Sequence, residues 1–221
     1  MNPVFPSILS TNFFNLQAKL SEFEKSRTDF IHLDIMDGHF VENISFGPSI
    51  AQAIKEKFPF SLDAHLMVSN PAKMIPHFIE AGADWLSFHV ETDDDCADLI
   101  GVIKKSGRCA GLVLNPDTPL EQVQPFLKRI DYILLMSVFP GFAGQKFIVA
   151  TLERVRQLKN EIRSQQSHCL LQVDGGITLE NVPLLKEAGA DLFVIGTHLY
   201  NADNIEEKIG QLLNRLQWSQ P

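Results

Sequence analysis

Short apolar runs alternate with longer amphipathic stretches along the whole chain. The runs are rich in β-branched, aromatic and other apolar residues, which is typical of buried strands. They cover residues 4–9, 30–35, 61–67, 85–90, 109–114, 132–138, 169–174 and 192–196. We predict helices over the stretches between them, at residues 15–26, 49–58, 72–82, 95–106, 119–128, 147–164, 179–189 and 204–217.

Several of the predicted helices carry local start and stop signals. Asn70-Pro71 and Thr118-Pro119 indicate helix N-termini, because proline is well tolerated in the first turn and the preceding side chain can cap it. Gly82, Gly107 and Gly189 are predicted to end helices, since glycine readily adopts the left-handed conformation of a C-terminal cap.

Eight strand-then-helix units in 221 residues predict one (β/α)8 barrel domain over residues 1–221. An open doubly wound sheet is the structural alternative. Polar residues at the ends of the runs favour the barrel, because its strand C-termini all meet at one mouth, whereas an open sheet spreads them along an edge. These residues are His32, Asp34, His65, His89, Asn115, Ser137, Asp174 and Gly196.

The composition is that of a globular protein that does not bind nucleic acid. Hydrophobic residues make up 45% of the chain and charged residues 21%, and the net charge is -8 with a pI near 5.3. No Lys/Arg cluster is present to neutralise a nucleic-acid backbone. An anionic substrate would therefore be held by local backbone amides, helix N-termini or a metal ion.

The cysteines are few and widely spaced, at Cys96, Cys109 and Cys169, which argues against a disulfide framework and fits a reducing cytoplasm. The first residues lack the basic start and apolar core of a signal peptide. No apolar run approaches the ~18 residues of a membrane span. A cytoplasmic protein with no membrane partner is expected.

A metal site is predicted at the barrel mouth. His32 and Asp34 share one face of a strand and lie about 6.6 Å apart along it, within reach of one ion. With His65 and Asp174 they provide two imidazoles and two carboxylates, which suit Zn²⁺, Fe²⁺, Mn²⁺ or Co²⁺ better than Ca²⁺ or Mg²⁺. The alternative is that each histidine is a hydrogen-bonded polar residue at the rim.

Asp34 and Asp174 also form a candidate acid/base pair. They end the second and seventh runs, which lie on different walls of a closed barrel, so each could handle a proton on one face of a substrate. The alternative is that they are helix caps or ion-pair partners. The glycines that follow Asp174 favour the first interpretation, because they leave room for a ligand.

Glycine-rich turns after the last three runs predict a phosphate site. Residues 140–145 follow the sixth run and precede a helix, where backbone amides are suited to hold an anion. Similar turns follow the seventh and eighth runs, a recurrent place for phosphate in this barrel class. The candidate phosphate-binding residues are Gly141, Phe142, Ala143, Gly144, Gly175, Gly176, Gly196 and Thr197.

Three methionines, Met36, Met67 and Met136, also lie near the ends of runs. Met36 is in phase with His32 and Asp34, and Met67 with His65. They either fill the core or form an apolar lining that keeps water from a reactive intermediate.

Four strings are specific enough to indicate a family. They are His-Leu-Asp-Ile-Met-Asp-Gly-His-Phe-Val (32–41), Asp-Ala-His-Leu-Met-Val (63–68), Met-Ser-Val-Phe-Pro-Gly-Phe-Ala-Gly-Gln-Lys-Phe (136–147) and Val-Asp-Gly-Gly-Ile (173–177). Together they resemble the ribulose-phosphate 3-epimerase family, and the similarity runs from Pro6 nearly to the last helix.

The resemblance implies a phosphate-binding barrel with one divalent metal ion that interconverts D-ribulose 5-phosphate and D-xylulose 5-phosphate. It implies that His32, Asp34, His65 and Asp174 are the metal ligands, with Asp34 and Asp174 as the acid/base pair. Ser7 and His65 would contact the sugar, and the glycine-rich turns would hold the phosphate. It also suggests a homo-oligomer.

The chain departs from the usual family pattern at Phe139, Ala143, Glu42, Thr197 and His198. A related epimerase that acts on the six-carbon allulose 6-phosphate also has the Gly-Phe-Ala-Gly and Gly-Thr strings found here at 141–144 and 196–197. The pentulose phosphate remains the expected substrate, with the hexulose phosphate as the alternative. A barrel that binds a sugar phosphate without converting it is a further alternative.

Overall fold

The computed structural model describes residues 1–26 and 28–218, in which eight parallel strands form one sheet in the order β1-β8-β7-β6-β5-β4-β3-β2. The strands are β1 Val4–Pro6, β2 Phe30–Met36, β3 Ser61–Met67, β4 Trp85–His89, β5 Cys109–Leu114, β6 Tyr132–Met136, β7 Leu170–Asp174 and β8 Leu192–Ile195. Each predicted run coincides with one strand to within a few residues, so the strand pattern is confirmed.

The sheet closes on itself at its two ends. Val4 pairs with Phe193, which joins β1 to β8. A bridge between Ser7 and His32 joins the chain just after β1 to β2. The closed parallel arrangement is a (β/α)8 barrel, as predicted, and not an open doubly wound sheet.

Helices connect the strands and cover the outside of the barrel. They are α1 Leu16–Lys25, α2 Pro48–Lys57, α3 Pro71–Glu80, α4 Cys96–Lys105, α5 Thr151–Ser164, α6 Val182–Ala188, α7 Thr197–Tyr200 and α8 Ile205–Arg215. The predicted cap at Asn70 is confirmed, since its side chain accepts a hydrogen bond from the Lys73 N–H. Over the part of the chain that is described, no helix combines the length and apolar character that a membrane span requires.

The helix predicted over residues 119–128 is absent. The segment instead forms two 3₁₀ turns, Leu120–Gln122 and Gln124–Phe126. Pro125 lacks the N–H that a continuous α-helix would need at this position, which accounts for the interruption. The helix predicted over residues 147–164 also begins later, at Thr151, because Ile148 donates its N–H back to the Ser137 carbonyl.

Two apolar layers hold the barrel together. The larger lies between the strands and the surrounding helices, and the smaller fills the inside of the barrel. Within the smaller layer the rings of Phe5 and Phe30 stack with centroids 4.4 Å apart, and Trp85 packs against both. These aromatic rings fill the barrel interior on the side of Phe30 and Trp85, the first residues of β2 and β4, whereas the cavity described next lies at the C-terminal ends of the strands.

Candidate active site

A cavity of about 440 Å³ lies at the C-terminal mouth of the barrel. It is lined by most of the predicted site residues, namely Ser7, Asp34, Gly141, Phe142, Ala143, Gly144, Asp174, Gly175, Gly176, Gly196 and Thr197. His32 and His65 are fully buried behind Asp34 and complete the floor. The structure therefore brings every predicted site residue to one place.

His32, Asp34, His65 and Asp174 converge on one point. Each offers one ligand atom, and these atoms all lie within 4.8 Å of one another. Nε2 of His32 and Nδ1 of His65 lie 3.4 and 3.3 Å from the same carboxylate oxygen of Asp34, and neither has a hydrogen-bond partner among the described residues. Two buried, unpartnered nitrogens facing two carboxylates are the environment a divalent metal ion needs, so these residues fit one.

His32 is oriented by a buried carboxylate. Its Nδ1–H donates to Asp63 at 2.8 Å, which leaves Nε2 toward the cavity. Asp63 also accepts hydrogen bonds from the Tyr132 hydroxyl and the Gln172 amide, at 2.8 and 2.9 Å. Burial would raise the pKa of Asp63, but His32 and these donors outweigh it and lower that pKa. Asp63 is thus an ionised partner that fixes the ring.

His65 is connected to a second set of polar groups. Its Nε2 lies 2.9 Å from Nε2 of His89, and Nδ1 of His89 lies 3.0 Å from the Glu91 carboxylate. Burial lowers the pKa of His65 to about 4 and also lowers that of His89. Both rings are therefore neutral at physiological pH.

The two candidate acid/base carboxylates differ in protonation. Burial and the nearby charge of Asp34 raise the pKa of Asp174 to about 7. Burial acts in the same direction on Asp34, but the nearby imidazoles, His32 first and then His65, outweigh it and hold its pKa well below the usual range. The Ser7 hydroxyl donates to Asp34 at 2.5 Å and orients it. Near neutral pH one carboxylate is ionised while the other is close to half protonated.

The loop after β7 needs glycine for reasons of space and backbone conformation. Gly176 has a φ of +61°, and a Cβ there would lie 2.6 Å from the backbone nitrogen of Phe147. A Cβ on Gly175 would lie 2.5 Å from the Val138 side chain. Ser137, which directly follows β6, connects that segment to the loop after β7. Its hydroxyl donates to the carbonyls of Asp174 and Gly175.

Gly176, Gly196 and Thr197 line this part of the cavity, and among the described residues no protein acceptor is bonded to their N–H groups. The Thr197 hydroxyl is hydrogen-bonded to Ser10 at 3.0 Å, which places α7 beside the chain that follows β1. Unpaired N–H groups at a helix start are suited to bind an anion.

The three methionines line the cavity and are also buried, so their position is compatible with either interpretation. Among the departures from the family pattern, Phe139 lies in a neighbouring cleft with Phe40 and Phe142 rather than in the main cavity. His198 does line the main cavity, where its Nε2 accepts a hydrogen bond from the Leu179 N–H at 3.3 Å.

Sequence reasoning missed the functional place of Asp63 and Glu91. A signal for Asp63 existed, since it lies two residues before His65 and so shares its inward face. Glu91 follows β4 and His89 ends it, but their connection to His65 depends on the register in which Ser87 of β4 pairs with His65 of β3. The sequence of either strand alone does not determine that register.

Comparisons with known proteins place the chain in a family. The model of the ribulose-phosphate 3 epimerase family matches residues 3–200. Proteins named ribulose-phosphate 3-epimerase are 41% identical to this chain in Aquifex aeolicus, over 96% of both chains, and in Bacillus subtilis, over 96% of this chain and 98% of the relative.

A solved structure with the same fold is that of 3-hexulose-6-phosphate synthase from Salmonella typhimurium. It superposes with a TM-score of 0.73 at 17% identity, and the match covers 97% of this chain and 98% of the other. At that identity the likeness concerns the barrel alone. The family match and the identity to named epimerases decide the classification, and the chain belongs to the ribulose-phosphate 3-epimerase family of isomerases.

Proposed function

We propose that the protein inverts C3 of a ketose phosphate, interconverting D-ribulose 5-phosphate and D-xylulose 5-phosphate by two-base proton transfer. The observation that carries the proposal is the placement of Asp34 and Asp174, which lie on β2 and β7 and line one cavity. The C3 hydrogen of such a substrate is acidified by the neighbouring C2 carbonyl, so a carboxylate is a strong enough base to remove it.

The two carboxylates divide the reaction between the two faces of C3. The ionised Asp34 removes the proton from one face, and an enediolate forms across C2 and C3. Asp174, which holds a proton, delivers it to the opposite face and becomes the base for the reverse reaction. Ser7 keeps the carboxylate of Asp34 aimed into the cavity through their hydrogen bond. Inversion follows because the two groups act from different walls.

A divalent metal ion would be held by His32, Asp34, His65 and Asp174. When bound, it supplies positive charge beside the oxygens on which negative charge develops. The donor set of two imidazoles and two carboxylates suits Zn²⁺, Fe²⁺, Mn²⁺ or Co²⁺. The support for a metal is that Nε2 of His32 and Nδ1 of His65 are buried without partners.

The remaining cavity residues bind and shelter the substrate. The N–H groups of Gly176, Gly196 and Thr197 would hold the phosphate. Ser7 and His65 would contact the sugar, and Gly141 to Gly144 together with Gly175 would shape the phosphate loops. The three methionines lower the local polarity around the reacting carbons and exclude water.

A six-carbon ketose phosphate is the second candidate substrate, because the loops carry Gly-Phe-Ala-Gly and Gly-Thr. The location of Phe139 outside the main cavity removes one argument for the longer substrate. His198 lines the cavity, but its ring nitrogen is already engaged by the Leu179 N–H. We therefore favour the pentulose phosphate.

The test is to measure kcat/KM for D-ribulose 5-phosphate and for D-allulose 6-phosphate on one metal-loaded preparation. We expect the pentulose phosphate to be preferred by roughly 10–200-fold, the range that one carbon supports in a fitted pocket. Removal of metal with a chelator is expected to abolish turnover, and Zn²⁺, Mn²⁺, Co²⁺ or Fe²⁺ to restore it. Preference for the hexulose phosphate would reject the assigned substrate, and full turnover without metal would reject the metal's role.

A further inference from the structure

A chain of polar groups leads from His65 away from the cavity. Nε2 of His65 lies 2.9 Å from Nε2 of His89, and Nδ1 of His89 lies 3.0 Å from Oε2 of Glu91. Both rings are fully buried. Neither His89 nor Glu91 lines the cavity. Their hydrogen-bonded connection to the proposed metal ligands is through His65.

The other oxygen of Glu91 is occupied by the loop that follows β5. It accepts hydrogen bonds from the Asn115 N–H, at 2.8 Å, and from the Thr118 hydroxyl. Arg154 of α5 in turn donates to the carbonyls of Asn115 and Thr118, at 3.2 and 2.6 Å. The loop therefore holds Glu91 so that one oxygen faces two donors and the other faces His89.

The proton positions follow from this arrangement. A carboxylate only accepts, so Nδ1 of His89 must carry the proton that it shares with Glu91. Two ring nitrogens 2.9 Å apart need one donor and one acceptor, and in a neutral imidazole protonated on Nδ1 the other nitrogen, Nε2 of His89, is the acceptor. The facing Nε2 of His65 must therefore be the donor. That leaves Nδ1 of His65 without a proton, and it is the atom that lies 3.3 Å from Asp34.

We propose that Glu91 and His89 are positioning residues that fix His65 in the tautomer whose bare Nδ1 can bind the metal ion. This inference rests on the proposed metal site. Outer partners of metal-binding histidines fix tautomer and ring orientation in this way in other proteins. Glu91 acts on His65 through two successive hydrogen bonds, as Asp63 acts on His32 through one.

Glu91→Gln is the decisive variant, because it changes one group while it keeps the side-chain shape. The glutamine oxygen is expected to stay with the Asn115 N–H and the Thr118 hydroxyl, which both donate. Its NH₂ group then faces Nδ1 of His89 and donates to it. The His89 proton moves to Nε2, so Nε2 of His65 must accept and its proton must move to Nδ1, where it opposes metal binding.

Thr118→Val is the matched control. It removes one donor to Glu91 and leaves the carboxylate facing His89, so it disturbs the loop without changing the proton order. If Glu91 only anchors the loop, the two variants affect the site alike. If Glu91 sets the tautomer of His65, only Glu91→Gln changes the metal site.

The first measurement is the tautomer itself, from long-range ¹H–¹⁵N spectra of the full chain labelled with [¹⁵N]histidine, without added metal and with signals assigned by single His→Gln variants. We expect His65 protonated on Nε2 in the wild type and in Thr118→Val, and on Nδ1 in Glu91→Gln. A wild-type His65 protonated on Nδ1 would overturn the proposal, and this result decides the matter even if Glu91→Gln fails to fold.

The second measurement is Zn²⁺ affinity by competition with a chromophoric chelator. We expect about 10–100-fold weaker binding in Glu91→Gln and little change in Thr118→Val. Equal losses of Zn²⁺ affinity in both variants, or no loss in Glu91→Gln, would overturn the positioning role of Glu91 and His89. If the wild type binds none of Zn²⁺, Mn²⁺, Co²⁺ and Fe²⁺, the proposed metal site is rejected. The tautomer spectra would still show which ring nitrogens of His65 and His89 carry protons.

Discussion

Asp63 and His32 are joined by a hydrogen bond of 2.8 Å inside the barrel, and neither side chain is exposed to solvent. Asp63 is also the acceptor for the Tyr132 hydroxyl and the Gln172 amide. One carboxylate thus connects four strands below the cavity floor. The same group that orients a candidate metal ligand is a structural centre of the barrel, so function and stability are coupled there.

Asp63→Ala is expected to lower the free energy of unfolding by about 3–5 kcal/mol, because it leaves three buried donors without an acceptor. Tyr132→Phe removes a single donor, and we expect a loss of about 1 kcal/mol. Urea unfolding of both variants measures the difference. Equal losses in the two variants would contradict the central role of the carboxylate.

Gly111 makes space for the ring of Tyr132. A Cβ at this position would lie 2.5 Å from the ring carbon Cζ. We expect Gly111→Ala to cost about 1–3 kcal/mol by displacing the ring that reaches Asp63. Gly101 in α4 is the matched control, since nothing lies within 4 Å of a Cβ there. Gly101→Ala is expected to keep or raise stability by up to about 1 kcal/mol, and both changes are measured by urea unfolding. Similar values for the two variants would count against the steric argument.

The strand pattern could be predicted because buried parallel strands and surface helices differ clearly in apolar period. The cluster of candidate metal ligands could also be predicted from the sequence. His32 and Asp34 share a strand face, and the closure of the barrel brings His65 and Asp174 to the same mouth.

The groups that hold the site could not be predicted in the same way. Tyr132 and Gln172 are 69 and 109 residues from Asp63 along the chain, and their meeting depends on strand tilt and on the absence of a side chain at Gly111. The hydrogen bonds that connect Glu91 through His89 to His65 depend likewise on the loop that follows β5, a different strand. Pattern reasoning identifies residues that face inward, whereas partner choice inside the barrel is a property of the assembled sheet.

Asp37 is expected to make stability depend on acidity. Its carboxylate accepts hydrogen bonds from the N–H groups of His39, Phe40 and Ser69. Partial burial opposes ionisation, but these donors outweigh it and lower the pKa from 3.8 to about 2. Because the folded pKa lies below the unfolded one, the stabilisation is fully present above about pH 4 and is lost as the pH falls toward about 2.

The measurement is the urea midpoint of the wild type and of Asp37→Asn at about pH 6 and about pH 3. At the higher pH we expect the wild type to have a higher urea midpoint than Asp37→Asn. At the lower pH the difference between the two midpoints should narrow. A gap that stays constant or widens on acidification would show that the charge of Asp37 is not what stabilises this loop.

Asp174→Asn is expected to abolish epimerisation and to leave the fold intact. An amide cannot deliver or take up the proton at C3, and loss of a positioned acid/base group typically costs about 10²–10⁴-fold in rate. The fold should persist because Ser137 binds the carbonyl of Asp174 and not its side chain. Removal of a second carboxylate beside Asp34 also relieves repulsion. In D₂O, Asp34 alone should still exchange the C3 hydrogen of one epimer slowly without converting it.

Turnover, C3 deuterium content and thermal melting measure these outcomes, with the exposed Asp203→Asn as the control. A folded Asp174→Asn protein with wild-type turnover would reject the two-base mechanism, and exchange into both epimers at equal rates would reject the assignment of one carboxylate to each face.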